Sequence, residues 1–223
     1  MMEERALSRC GGYTGRIGHI NLSCGRVWFD EHDATWYRRY GGGGALAAWY
    51  LLHDIPVGAD PLGPDNVLVF ASSIVGGIGA PAVSRHAVLA MSPLSGVAGE
   101  SQPTGTFGPA LKRSGFDAIV IHAVAERPCY IVARDGELQA EDASELWGQD
   151  TADAHEALRA LEGDHAHTAL IGVAGENLVR FASIVNDVQF MSCRTGMGAV
   201  MGAKRLRRSS PLRDRQSCSP SQP

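Results

Sequence analysis

The chain has 223 residues, 44% of them hydrophobic and 20% charged, which is enough to bury one sizeable core or two small ones and excludes global disorder. No apolar run reaches the length of a membrane span and the start MMEERALSRCGG has no signal-peptide core, so a soluble, cytoplasmic protein is expected. The net charge of −4 is uneven: from Lys204 onward six basic residues stand against one acidic, leaving −9 for the preceding part, a poor nucleic-acid surface.

In chain order, GRIGHINLSCGRVWFDE predicts two strands joined by a turn at Gly25. DATWYRRY predicts a short helix capped by Asp33, and Gly41 to Gly44 open a second helix over ALAAWYLLHDI. PVGADPLGPDN is a loop, and the β-branched VLVFASSIV is a buried strand. SRHAVLAM and FDAIVIHA are further strands, on either side of the glycine-bearing SQPTGTFGPALKRSG. CYIVARDGELQAED carries the hairpin signal Asp135-Gly136. TADAHEALRALEG is helical, with Ala154, Leu158 and Leu161 on one face, and HTALIGV and LVRFASIV complete the strands. Strands outnumber helices and lack regular helical crossovers, so the expected class is α+β with mixed sheets rather than a doubly wound sheet.

Three segments, YGGGGALAAW, PTGTFGPALK and RTGMGAVMGAK, place closely spaced glycines before small or apolar residues. They fit close backbone approaches to a shared ligand, and equally tight turns at sheet edges. GGGALA at 42–47 satisfies G-x-G-x-x-A, but a helical segment precedes it where a dinucleotide fingerprint needs a strand. The eight histidines show no H-E-x-x-H or comparable metal spacing, the HAH at 165–167 reads as solvated loop, and no G-x-S-x-G is present. Five cysteines without a C-x-x-C pair make neither a disulfide framework nor a zinc or iron–sulfur site within this chain. Arg85 and Arg194 each lie beside a small-residue segment, where a guanidinium can grip phosphate bidentately. Taken singly, each also fits a surface ion pair.

The segments GRIGHINLSCGRV, DPLGPDNVLVFASSIVGGIGAP, MSPLSG, GTFGPALKRSGFDAIVIHAVAERPCYI, DASELWGQDT, GVAGENLVRFASIVND and GMGAVMGAK, in this order, resemble the N-terminal domain of the tungsten-containing aldehyde ferredoxin oxidoreductases. The likeness runs from about Gly12 to Lys204. It implies two mixed sheets related by internal duplication, forming a base for a tungsten (or molybdenum) ion held by two pterin-dithiolene groups. It further implies a magnesium ion joining the pterin phosphates, which suits a hard cation that prefers oxygen ligands. Domains beyond this chain would supply a 4Fe-4S cluster and much of the substrate pocket. The implied reaction converts aldehyde and water to carboxylic acid and passes two electrons to ferredoxin or another electron-transfer partner.

Carried over by position, the implied cofactor-binding residues are Arg85, Gln102, Thr104, Met191, Cys193 and Arg194. None is assigned a catalytic or metal-ligating role, and Cys193 stands where the family packs a small residue. The usual A-G-R-G-G of the second loop reads MSCRTGMG here, and Phe190 and Gly44 stand where many members have arginine. On this reading residues 1–11 are an extension, 12–204 the family domain, and 205–223 a disordered tail. RLRRSSPLRDR replaces an apolar strand of the family there, and a shifted reading frame of a GC-rich gene would restore it. The domain alone is expected to be inactive; the alternatives are a non-catalytic pterin- or anion-binding module, or one half of a split oxidoreductase completed by a subunit. No nucleic-acid or membrane partner is expected.

Overall fold

Period-two burial sets the first strand pair. In β1 (Arg16–Asn21) Ile17 and His19 point to one face and Ile20 to the other, and the turn at Gly25 returns the chain as β2 (Arg26–Glu31). The computed structural model describes residues 12–78, 80 and 83–211. The proposed extension 1–11 and the end of the tail, 212–223, lie outside them. Two helices follow, α1 (Ala34–Tyr40), whose Asp33 accepts from the Trp36 N–H as expected, and α2 (Gly44–Asp54). Then come β3 (Leu68–Ser72), β4 (His86–Met91), β5 (Ala98–Ser101), α3 (Phe107–Arg113) and β6 (Ala118–His122). The second half contains β7 (Cys129–Arg134), β8 (Glu137–Asp142), α4 (Thr151–Glu162), β9 (Ala169–Ile171) and the single turn α5 (Val173–Glu176). It closes with β10 (Ile184–Asn186), β11 (Phe190–Ser192), α6 (Met197–Ala203) and β12 (Leu206–Pro211).

The strands form two six-stranded mixed sheets, β2-β1-β6-β3-β4-β5 and β11-β10-β9-β12-β7-β8. Read from the hairpin end, the second repeats the first. β7 and β8 pair antiparallel like β1 and β2, β12 lies parallel to β7 as β6 does to β1, and β9, β10 and β11 follow antiparallel like β3, β4 and β5. The expected α+β class and internal duplication are therefore the observed architecture.

One core joins the halves. Ile20, Phe70, Ile119 and Ile121 of the first sheet share a buried cluster with Ile131, Ile171, Ile184 and Leu206 of the second. Phe107 and Leu111 of α3 and Met197, Val200 and Met201 of α6 belong to the same cluster. Each fully buried side chain of this size contributes about 1.5–3 kcal/mol against unfolding. The opposite face of the first sheet, Ile17, Val69 and Val120, is covered by Tyr37, Leu46 and Tyr50 of α1 and α2. Tyr130, Val132 and Leu170 of the second are covered by Leu158 of α4.

The structure departs from the sequence expectations in three places. LVRFASIV is mostly turn, with a strand only at Ile184–Asn186 and Phe181 exposed. Leu161 leaves the buried face that Ala154 and Leu158 share and is 67% exposed. Leu206–Pro211, expected within a disordered tail, is the fourth strand of the second sheet, between β9 and β7. Its ladder slips between Leu206 and Arg208, which leaves Arg207 as the extra residue of a bulge. The Arg207 side chain is fully buried and pairs with Glu176 at 2.8 Å. It also donates to the carbonyls of Ile171, Gln149 and Asp150. A buried guanidinium with this many acceptors is held in place by geometry, not by apolar pattern.

Candidate cofactor cleft

Gly41 and Gly43, both at φ 61°, turn the chain from α1 into α2, a conformation that glycine adopts without Cβ strain. Between them Gly42 packs so closely that a Cβ would lie 2.7 Å from the Ser72 carbonyl oxygen, and the Gly43 N–H bonds that same oxygen at 2.9 Å. The glycine run is thereby fixed to the end of β3. It floors a cavity of about 310 Å³ whose walls include Ser73, Val75, Arg85, His86 and Gln102. Arg85 and Gln102 meet because β4 and β5 are antiparallel neighbours and the His86 N–H reaches the Pro103 carbonyl at 3.4 Å.

The loop after β5 and the loop after β11 are equivalent in the duplication, and both read S-x-x-T-G: Ser101 to Gly105 and Ser192 to Gly196. They also touch. The Arg194 N–H lies 3.4 Å from Ser101 Oγ, and the Thr195 hydroxyl 3.4 Å from the Glu100 carbonyl. Ser92 Oγ donates to the Thr195 carbonyl at 2.8 Å. A Cβ on Gly99 would lie 2.7 Å from Thr195 Cβ, and one on Gly105 2.5 Å from the Phe190 ring. Thr106 bonds Asp187 across the same seam.

Of the residues singled out from sequence, Arg85 and Gln102 line the cavity, and Thr104 sits half-buried in the adjoining loop. Arg194 lies beside Ser101 through its backbone. Met191, 59% exposed, and Cys193, exposed, flank the buried Ser192 on the second loop and do not line the cavity. Neither Arg85 nor Arg194 forms an ion pair with any described residue. The surface-pair alternative thus has no partner among the described residues.

Two neighbours carried no signal in the sequence. Glu100 accepts from Gln102 Nε2 at 2.6 Å, and its carboxylate occupies the place a Cβ on Gly44 would need. His86 is fully buried with no hydrogen bond at either ring nitrogen, although Asn186 and Asp187 of the second half face it. Burial pushes its pKa down to about 3, so a neutral imidazole stands in the cavity wall. A larger cleft of about 920 Å³ near Thr14, Arg16 and Lys112 shares no lining residue with this one. Of its three cations, Arg16, Lys112 and Arg113, Lys112 is committed to the Ser73 and Ile74 carbonyls and to Asp117, and Arg16 stacks over the Phe29 ring at 3.7 Å.

The two sheet halves bring equivalent S-x-x-T-G loops into contact beside a glycine-floored cavity that Arg85 and Gln102 line, and Arg194 of the second loop is not among its lining residues. The chain belongs to the aldehyde ferredoxin oxidoreductase family: residues 17–208 match the family model "Aldehyde ferredoxin oxidoreductase, N-terminal domain". It is 37% identical over 213 residues to the tungsten-containing aldehyde ferredoxin oxidoreductase of Pyrococcus furiosus, covering 92% of this chain and 35% of that protein. It is 39% identical over 197 residues to the Thermococcus kodakarensis enzyme of the same name, covering 88% and 33%. Among solved structures, the active-site complex BamBC of benzoyl coenzyme A reductase superposes with a TM-score of 0.88 at 29% identity, covering 93% of this chain and 32% of that one. The chain therefore spans about a third of the length of the relatives it matches.

Proposed function

We propose that this domain is the base on which a tungsten-pterin cofactor rests, within an enzyme that oxidises an aldehyde with water to a carboxylic acid. The observation that carries the reading is the meeting of the two equivalent loops beside two arginines that form no ion pair with a described residue. The residues fit the group: cations for phosphate, glycines that leave the backbone open, and side-chain amide and hydroxyl groups for a polar heterocycle. When bound, the cofactor supplies the two-electron step, RCHO + H2O → RCOOH + 2 H⁺ + 2 e⁻. Arg85 and Arg194 would hold phosphate oxygens, one from each half of the fold. Gln102 and Thr104 would offer donors and acceptors from the first loop and Met191 and Cys193 their backbone from the second, and the phosphates would suit magnesium, a hard cation that prefers oxygen ligands.

The neutral His86 adds no charge of its own beside Arg85 in the cavity wall, and Phe190 packs against Gly105 in the seam. The iron–sulfur cluster and ferredoxin, as electron acceptors, belong to parts of the enzyme beyond this domain. The described cysteines Cys24, Cys129 and Cys193 are all free thiols, which suits a cytoplasmic setting. No helix among the described residues is long and apolar enough to cross a membrane.

The test is tungsten and pterin content of the purified protein after growth with tungstate, read by elemental analysis and by fluorescence of the oxidised pterin. Near-stoichiometric retention is expected for the parent, with a loss of tenfold or more for Arg85→Ala and for Arg194→Ala. Retention unchanged in both variants would sink the assignment, as would a parent that carries neither metal nor pterin.

A further inference from the structure

A second cluster of ligating side chains lies at the far end of α2, roughly 15 Å along the helix axis from the glycine run at about 1.5 Å per residue. His19 in the middle of β1 and His122 at the end of β6 are 103 residues apart in sequence. The parallel pairing of these strands places His19 opposite Val120, so His122 stands one step further on the same face. His19 Nδ1 and His122 Nε2 are 3.0 Å apart. Asp54, the last residue of α2, brings a carboxylate oxygen to them, and the three ligand atoms all lie within 4.8 Å of one another.

We propose that His19, His122 and Asp54 form a binding site for a divalent first-row metal ion, of which zinc is the type, that clips the end of α2 to the first sheet. Two imidazole nitrogens and one carboxylate oxygen are a donor set such ions take, with a fourth position left to water. Two nitrogens on one tetrahedral zinc stand about 3.3 Å apart, given Zn–N bonds of about 2.0–2.1 Å. The observed spacing needs to open by only a few tenths of an ångström.

The surroundings favour a cation. His19 Nε2 lies 3.1 Å from Asp30 Oδ2, so its proton is held there and the Nδ1 lone pair points at the site. This is the carboxylate–histidine arrangement that orients metal ligands. Asp30 is itself fixed by the Tyr50 hydroxyl at 3.0 Å, and Trp28 stacks on His19 at 4.9 Å between ring centroids and lies tilted against His122 at 5.0 Å. Asp54 is otherwise badly placed. It sits at the negative end of a helix dipole and close enough to Asp30 for each carboxylate to oppose the other's charge. A divalent ion removes both penalties. Lys204 opposes a cation beside His122, but its amine is engaged with the carbonyls of Asn66 and Ala123.

The test is calorimetric titration of zinc into chelator-stripped protein, followed by thermal unfolding. One zinc per chain is expected, with a melting temperature raised by roughly 5–10 °C at a free zinc concentration about 100 times the dissociation constant. Asp54 is partly exposed, and Asp54→Asn removes its repulsion of Asp30 and of the helix end, so the variant should keep or slightly raise the metal-free melting temperature while weakening zinc binding tenfold or more. His122→Gln should weaken it further. Cobalt in place of zinc should give the intense visible bands of a low-coordinate nitrogen–oxygen site in the parent, and lose them in both variants. Absence of zinc binding at 1 mM overturns the proposal; so does equal affinity in the parent, Asp54→Asn and His122→Gln proteins, which would place the ion elsewhere. These readouts do not depend on tungsten or pterin, so this site and the cofactor cleft can fail separately.

Discussion

Arg207→Ala is expected to destabilise the domain by about 3–5 kcal/mol, the range for removing one partner of a buried ion pair. The magnitude can be reached from the other side of the pair. Glu176, its side chain 4% exposed, would keep the two bonds from the Gly148 N–H at 3.0 and 3.1 Å but lose the guanidinium at 2.8 Å. Losing a charged hydrogen-bond partner costs about 1.5–3 kcal/mol, and leaving the carboxylate's desolvation uncompensated adds about 1–3 kcal/mol. The carbonyls of Ile171, Gln149 and Asp150 would lose a donor as well.

Urea unfolding of parent and Arg207→Ala proteins at pH 7 measures the difference, and Arg207→Ala/Glu176→Gln should recover part of it because no buried charge is then left unpaired. A variant within about 0.5 kcal/mol of the parent at pH 7, the scatter of an ordinary surface change, would refute the reasoning, and with it the docking of β12 between β9 and β7.

His86 gives a pH dependence. Its folded pKa, about 3, lies below the ordinary histidine value near 6.5, so the unfolded chain binds more protons between these limits and stability is lost as pH falls through them. Between pH 7.5 and 5 this one group should account for about 2 kcal/mol, read as the flattening of the stability–pH curve in His86→Gln relative to the parent; parallel curves would rule it out. Gly105→Ala puts a Cβ 2.5 Å from the Phe190 ring at a φ of 107°, and should cost about 1–3 kcal/mol in chemical unfolding while lowering cofactor retention. A Gly105→Ala protein as stable as the parent would show that the two loops do not meet as described.

Much of the first sheet was legible because local pattern and tertiary environment agree there. VLVFASSIV and FDAIVIHA are apolar runs that lie buried on both faces, and Gly25 and Asp135-Gly136 sit at the hairpin turns their chemistry predicts. The helices α3 and α6 were not legible. FGPALKR and MGAVMGA are only seven residues long and rich in glycine, proline or alanine, and packing between the sheets selects their conformation. Nor was β12, since LRRSSP has no alternating apolar face and owes its place to the vacancy between β9 and β7 that the duplicated topology creates. Around the cleft, Arg85 and Arg194 could be singled out by their small-residue neighbours, and Gln102 through the family resemblance alone. Glu100 and His86 could not, because only strand pairing brings them to the wall. The same holds for His19 and His122, whose separation hides them from any search for metal-ligand spacing.

The duplication has a consequence for whatever lies in the cleft. The strands and the S-x-x-T-G loops repeat, but the arginines do not. Arg85 precedes β4, where the other half has Ser183 before β10, while Arg194 falls in the second loop where the first has Pro103. The duplication therefore governs the strands and the S-x-x-T-G loops but not the placement of the arginines. Two chemically identical groups bound side by side would meet unlike neighbours, one cation arriving from a strand end and the other from a loop. Such a cradle would give each group its own electrostatic address, so that a symmetric pair would be held in one orientation and its two members would become distinguishable.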